Sequence, residues 1–195
     1  MSHSLRRKVV ITGIGVVSPN GLGREAYAAA LREGRSGISA IDGLDTTGLR
    51  SSAAGQVHDF DPTSVMDASE LRRVPRMVPL ALRASREAIT QAGLGEWINA
   101  GPDVIARQRE VGVALGTGGG GLAFVEEQYR LHFTQHTASL YSIVAGTHGN
   151  LSSELSIALG LRGPSHVLST GCTSSTDALG YAAMLVRSGT VPAML

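Results

Sequence analysis

The apolar positions fall into two kinds of segment: short continuous runs, and longer stretches where they recur at helical spacing. Residues 8–17 are nearly all apolar, with almost no polar alternation, and predict a strand covered on both faces. Ser18, Pro19, Asn20 and Gly21 then predict a turn. Residues 24–33 predict a helix with Tyr27 and Leu31 on one face, closed by Gly34. Residues 37–52 read as irregular, 53–57 as a short strand, and Asp61-Pro62 as the start of a turn. Residues 70–91 read as mostly helical, and Pro75 and Pro79 limit the regular helix to 77–91. Gly93 and Gly95 end it, with Trp97 anchoring the loop that follows. A second central strand is predicted at 110–115, then a helix at 122–131 opened by Gly118 to Gly121, and a loop at 132–137. Residues 140–159 read as helix broken near Gly146 and Gly149. The last pair is a short buried strand at 165–170 and a helix at 176–187. That helix carries Ala178, Tyr181, Ala182 and Leu185 at helical spacing and reads as almost fully buried. Strands at Val9, Val111 and Val167 alternating with helices predict a parallel α/β class.

The 195 residues, 43% hydrophobic and 17% charged, suffice for one good core and exclude a disordered chain. Aromatics are only 4% against 25 glycines, a balance suited to tight helix-on-sheet packing. A net charge of +1 with scattered basic residues gives no support for nucleic-acid binding. Basic residues precede the first apolar run, but Thr12, Gly13 and Gly15 interrupt it and no small-residue cleavage site follows, so a strand is preferred to a signal peptide. No apolar run is long enough to span a membrane. One cysteine excludes an internal disulfide and fits a reducing compartment, so the expected location is the cytoplasm.

Several motifs carry little. Gly13-x-Gly15 follows a strand, but Ser18 holds the third glycine position of a dinucleotide fingerprint. The run Gly118 to Gly121 lacks the Lys-Ser/Thr of a phosphate loop. Asp59 with Asp61, and His132 with His136, lack further ligands nearby, so no metal is expected. The basic set Arg72, Arg73, Arg76, Arg83 and Arg86 reads either as a solvated helix face or as a docking surface for an acidic partner.

The single cysteine carries more. Gly171 allows a sharp turn between the last strand and the last helix, which puts Cys172 at a helix start. Helix N-termini offer unpaired N–H groups and partial positive charge, which favour thiolate, the nucleophilic form. Thr173, Ser174, Ser175 and Thr176 supply hydroxyls that can cap those N–H groups without blocking the sulfur. The same N–H groups can hold an oxyanion when a thioester is attacked. From position alone an inert buried cysteine remains the alternative.

Arg162-Gly163-Pro164-Ser165 leading to Ser169-Thr170-Gly171-Cys172-Thr173-Ser174 resembles the nucleophile segment of the β-ketoacyl synthases, and is most similar to ketosynthase subunits of type II polyketide systems. Residues 9–19, 34–38 and 116–121 match further family segments in order, so the resemblance covers residue 6 to the end. It implies the thiolase-like fold, a five-layered sandwich of two similar α/β halves, with residues 1–195 as the first half. It implies Cys172 as nucleophile and backbone oxyanion donor, with Gly118, Gly119 and Thr173 against the substrate. Gly119 replaces a bulky aliphatic residue of many fatty-acid enzymes, which leaves room for a longer or stiffer acyl chain. No metal or organic cofactor is implied, because the substrate rides on the phosphopantetheine arm of an acyl carrier protein.

The implied partners are that carrier protein, a second copy or a ketosynthase-like subunit paired through the strand at 165–170, and a source for the second half. The family's catalytic histidines belong to that half, and none of the six histidines here matches their motifs. Leu195 is therefore expected not to be a natural domain end. Ser175 also departs from the family, which usually has glycine there. The expected activity is decarboxylative condensation of an acyl group on Cys172 with malonyl-carrier protein. The alternatives are a non-catalytic partner of the chain-length-factor type, a hydrolase, which Thr170 and Ser174 disfavour by lacking glycine, and thiolase chemistry on coenzyme A thioesters.

Overall fold

The computed structural model describes residues 7–195. Residues 7–16 carry no regular hydrogen-bonded structure and lead into a small hairpin of β1 (Val17–Ser18) and β2 (Gly21–Leu22). Helix α1 (Arg24–Arg32) follows, and Gly34 closes it with φ 63°. A second hairpin, β3 (Ile38–Ala40) with β4 (Ala53–Gly55), places one strand inside the stretch expected to be irregular. A short 3-10 turn, Pro62–Ser64, is capped by Asp61, whose carboxylate accepts from the Thr63 N–H. Then come α2 (Ala68–Leu71), α3 (Met77–Gln91), α4 (Leu94–Asn99) and α5 (Val104–Arg109). Gly95 and Trp97 thus lie within helix α4 rather than in a loop, and Arg107 of α5 donates to the Trp97 carbonyl at 2.6 Å and lies over its ring. Next are β5 (Val111–Gly116), α6 (Leu122–Gln135), α7 (Ser142–Gly146), α8 (Gly149–Leu159) and β6 (Ser165–Leu168). A 3-10 turn at Gly171–Thr173, helix α9 (Ser174–Ser188) and β7 (Ala193–Met194) complete the order.

The three strands β6, β5 and β7 form one parallel sheet in that order, with Leu115 opposite Val167 and Val111 opposite Ala193. Parallel strands need helical crossovers, and α6 to α8 supply the one from β5 to β6 while α9 supplies the one to β7. Along β5 the side chains alternate. Val111 and Val113, fully buried, join Leu115 in the core with Val78 and Leu82 of α3 and Leu151 and Leu155 of α8. Each such side chain contributes about 1.5–3 kcal/mol when fully buried. The intervening position Gly116 meets the start of α9, so one strand separates two helical layers.

Two expectations need correction. Residues 8–17 are not a strand with both faces covered. Val10, Ile11 and Ile14 are 72%, 68% and 50% exposed. A strand needs ladder partners, and the backbone donors here go to α3 side chains instead. The Ile14 N–H donates to Gln91 Oε1 at 2.7 Å and the Val16 N–H to Glu87 Oε2 at 3.0 Å. Gly13 and Gly15 permit this contact by lying directly on the α3 backbone at Ala88 and Ala84. Helix α9 is not almost fully buried either. Only Ser174 and Ala178 are buried, because the helix packs one face on the sheet and no described residue covers the other. A smaller difference is α6, which continues through most of the expected loop at 132–137. His136 ends it in the left-handed conformation, φ 52°.

Candidate active site

Cys172 lies in the three-residue 3-10 turn between β6 and α9 and is exposed. Gly171 takes φ 70°, which turns the chain sharply and is the conformation glycine adopts at least cost. The buried Ser174 fastens this turn from beneath. Its hydroxyl accepts from the Thr170 N–H at 2.9 Å and lies within donor reach of the Gly171 carbonyl at 2.6 Å and the Thr117 carbonyl at 3.1 Å. One side chain thus joins the Cys172 turn to the end of β5. The first-turn hydroxyls of α9 were expected to cap its N–H groups. Thr173, the N-cap residue, makes no such bond, and its hydroxyl instead reaches Thr170 and Asp177 at 3.1 Å.

The glycine-rich loop leans on the same turn. A Cβ at Gly118 would stand 3.3 Å from the Gly171 carbonyl oxygen. At Gly119 the nearest atom to such a Cβ is Leu122 Cδ1, at an ordinary 3.6 Å, so this position has room for a side chain. Gly120 has φ 54° and faces the His148 ring, with its N–H bonded to Thr117 Oγ1 at 2.9 Å. The structure therefore brings Gly118 against the Cys172 turn and sets Gly119 beside the start of α6.

Between α6 and α7 lies a cavity of about 380 Å³ lined mainly by Val125, Gln128, Tyr129, His132, Ser142 and Ile143. His132 packs edge-on against Phe133 with centroids 5.2 Å apart. Leu140, Ile143 and Phe133 on the same two helices and their link are 96%, 82% and 73% exposed.

The basic set does not form one face. Arg76 donates to the Val57 carbonyl at 2.6 Å, Arg72 to the Ala68 carbonyl at 3.2 Å, and the Arg73 guanidinium stands over the Tyr141 ring. Arg73 also faces Glu154, whose carboxyl burial pushes above its ordinary range; Arg73 opposes that rise and Glu70 adds to it. Arg83 and Arg86 remain, and with Arg24 they line a shallow depression around Glu87. Burial acts to raise the Glu87 carboxyl. The N–H groups of Arg24 and Val16 and the charges of Arg83 and Arg24 outweigh it and hold the group below its ordinary range.

Sequence reasoning passed over Asp177, whose carboxylate accepts from both Thr170 and Thr173 across the Cys172 turn. Its signal was available: it lies four residues after Thr173, one helical turn away.

Known proteins resemble this chain in sequence and in fold. The chain is 33% identical to 3-oxoacyl-[acyl-carrier-protein] synthase 2 of Synechocystis sp., covering all of this chain and 46% of that protein. It is 34% identical to a protein of Streptomyces halstedii named as polyketide beta-ketoacyl synthase 1, covering 95% and 44%. Among solved structures, the ishigamide ketosynthase/chain length factor superposes with TM-score 0.80 at 31% identity over 95% of this chain and 45% of that one. A type II polyketide ketosynthase in complex with its acyl carrier protein shares the fold, with TM-score 0.75 at 19% identity over 93% and 47%. The chain spans a little under half the length of the relatives it matches. Residues 6–195 match the family model described as the N-terminal domain of beta-ketoacyl synthase, and the chain belongs to that family.

Proposed function

We propose that this chain carries the nucleophile of a β-ketoacyl synthase in polyketide or fatty-acid assembly. The observation that carries the reading is the exposed Cys172, held in a turn pinned to β5 by Ser174. The Cys172 thiolate attacks the carbonyl carbon of an acyl thioester on the phosphopantetheine arm of an acyl carrier protein. The carrier sulfur leaves and the acyl group stays on Cys172. Malonyl-carrier protein then loses carbon dioxide, and its carbanion attacks the acyl carbonyl. The Cys172–acyl bond breaks, the thiolate is restored, and a β-ketoacyl product remains on the carrier. Covalent capture divides one difficult step into two easier ones. The Cys172 N–H supplies one oxyanion donor.

Decarboxylation needs further acid–base groups. The side chains that hydrogen-bond around the nucleophile turn are those of threonine, serine and aspartate, and no histidine joins them among the described residues. The reading therefore places the catalytic histidines in a second half, completing a five-layered thiolase-like sandwich. Gly118 and Gly119 line the acyl chain, and Thr173 acts on substrate through the shape of the turn. The carrier protein docks over the depression flanked by Arg24, Arg83 and Arg86. A second ketosynthase-like subunit, identical or not, pairs along the free edge of β6 and the apolar face of α6 and α7. The chain-length-factor alternative draws on one solved neighbour that joins a ketosynthase to such a factor. Cys172 argues against it, because factors of that type resemble ketosynthases but lack the nucleophile.

The test is acyl transfer from an acyl-carrier protein donor, read as a mass increase on the peptide containing Cys172. The wild type gains the acyl mass and Cys172→Ala does not. An acylated Cys172→Ala variant, or a wild type that never takes up the acyl group, overturns the assignment.

A further inference from the structure

The nucleophile turn has a second fastening, on its outer side. It is a 3-10 turn of three residues, a form with poor hydrogen-bond geometry, and it begins at a glycine in the left-handed conformation. Such a turn does not hold one shape without help. Ser174 supports it from the buried side. On the exposed side Asp177 Oδ2 accepts from Thr170 Oγ1, the residue before the turn, and from Thr173 Oγ1, its last residue, at 3.1 Å. The Thr173 proton has two more acceptors in reach at 3.1 Å, the Thr170 carbonyl and the Thr170 hydroxyl. A single carboxylate oxygen therefore closes a ring across Cys172.

We infer that Asp177 is a positioning residue for the nucleophile, acting through the hydroxyls of Thr170 and Thr173, an inference that rests on Cys172 being the acyl acceptor. Helix dipole alone favours an acid in the first turn of α9, but it does not require both hydroxyls to converge on that acid. The placement of Asp177 is accounted for by the geometry it imposes: the Cys172 sulfur and N–H stay aligned for attack and for oxyanion binding. Because both hydroxyls meet the same oxygen, a neutral carbonyl oxygen in its place keeps both bonds.

The test compares Asp177→Ala, Asp177→Asn and the wild type, each as the expressed full-length protein. Two rates are read at Cys172: acyl transfer from an acyl-carrier protein, and alkylation by iodoacetamide, which needs an accessible thiolate but no oxyanion geometry. Misplacing a reacting group by an ångström costs about 100-fold in rate. Asp177→Ala is expected to lower the maximal rate of acyl transfer about 10- to 100-fold, with KM for the carrier unchanged and alkylation within about 3-fold. Asp177→Asn is expected to recover most of the acyl-transfer rate. The inference is overturned if Asp177→Ala transfers acyl groups at the wild-type rate, if Asp177→Asn is as slow as Asp177→Ala, or if alkylation falls in parallel with acyl transfer. Failure of the underlying reading shows separately, as acyl uptake by Cys172→Ala in the same assay.

Discussion

Gly116→Ala tests how closely the sheet must approach the helix behind the nucleophile. Gly116 is the last residue of β5, and a Cβ built there would stand 2.5 Å from the Ser174 carbonyl carbon and 2.6 Å from Ser175 Cα. These are backbone atoms and cannot swing aside. Ordinary carbon–carbon contact needs about 3.5 Å, so the first turn of α9 must retreat by about 1 Å. Overpacking of this kind costs about 1–3 kcal/mol. In a chain of this size each kcal/mol lowers Tm by about 2–4 °C. The functional cost is expected to exceed the stability cost, because the displaced turn carries Ser174 and, through it, the alignment of Cys172. A 1 Å displacement corresponds to about 100-fold in acyl-transfer rate. The assay pairs calorimetric Tm with acylation of Cys172, the latter at a temperature where the variant is fully folded. A variant with Tm within about 1 °C of wild type and an unchanged acylation rate would falsify the close-approach argument.

Other perturbations follow from the same contacts. Gly119→Ile places a side chain where the nearest neighbour is Leu122 Cδ1. It should lower kcat/KM for long acyl donors about 10-fold or more while leaving acetyl transfer nearly intact; equal effects on both donors would refute the pocket reading. Glu87→Gln keeps one acceptor for the two N–H groups of Val16 and Arg24, and should cost about 1.5–3 kcal/mol, the worth of a hydrogen bond to a charged group. The Glu87 carboxyl is held below its ordinary range, so the folded state favours the charged form. Its stabilisation is full above the unfolded value of about pH 4.3 and fades as pH falls through the lower folded value. Urea midpoints measured from pH 6 down to pH 3 should therefore converge for wild type and Glu87→Gln at the acid end; a constant gap rejects the assignment.

The nucleophile segment was legible because its signal is local. Gly171 marks the turn, Ser165 to Leu168 marks the strand, and helical spacing of Ala178, Tyr181, Ala182 and Leu185 marks the inward face of α9. The central strand β5 and the helix Met77–Gln91 were equally plain, from a short apolar run and a proline-bounded amphipathic stretch. Reading apolar content as burial is what misled at residues 8–17. The same valines and isoleucines fit a covered strand, yet whether a ladder forms depends on neighbours distant in sequence. Here the donors of Ile14 and Val16 end on Gln91 and Glu87, more than 70 residues away. The basic set shows the same limit: spacing shows which arginines lie near one another, but the Tyr141 ring beneath Arg73 and the Val57 carbonyl that Arg76 meets come from other segments.

The helices at 24–32 and 77–91, the central strand β5, and the place of Cys172 at the turn between β6 and α9 were written in the chain, because each depends on residues within a turn or two of one another. Three things emerged only on folding: Ser174 as the link between the nucleophile turn and β5, the closeness of Gly118 and Gly116 to that turn, and the convergence of Thr170 and Thr173 on Asp177. The first two join segments separated by more than 50 residues. The third needs the handedness of the Gly171 turn before its partners can meet. Local propensity carries no information about such distances, which packing alone decides.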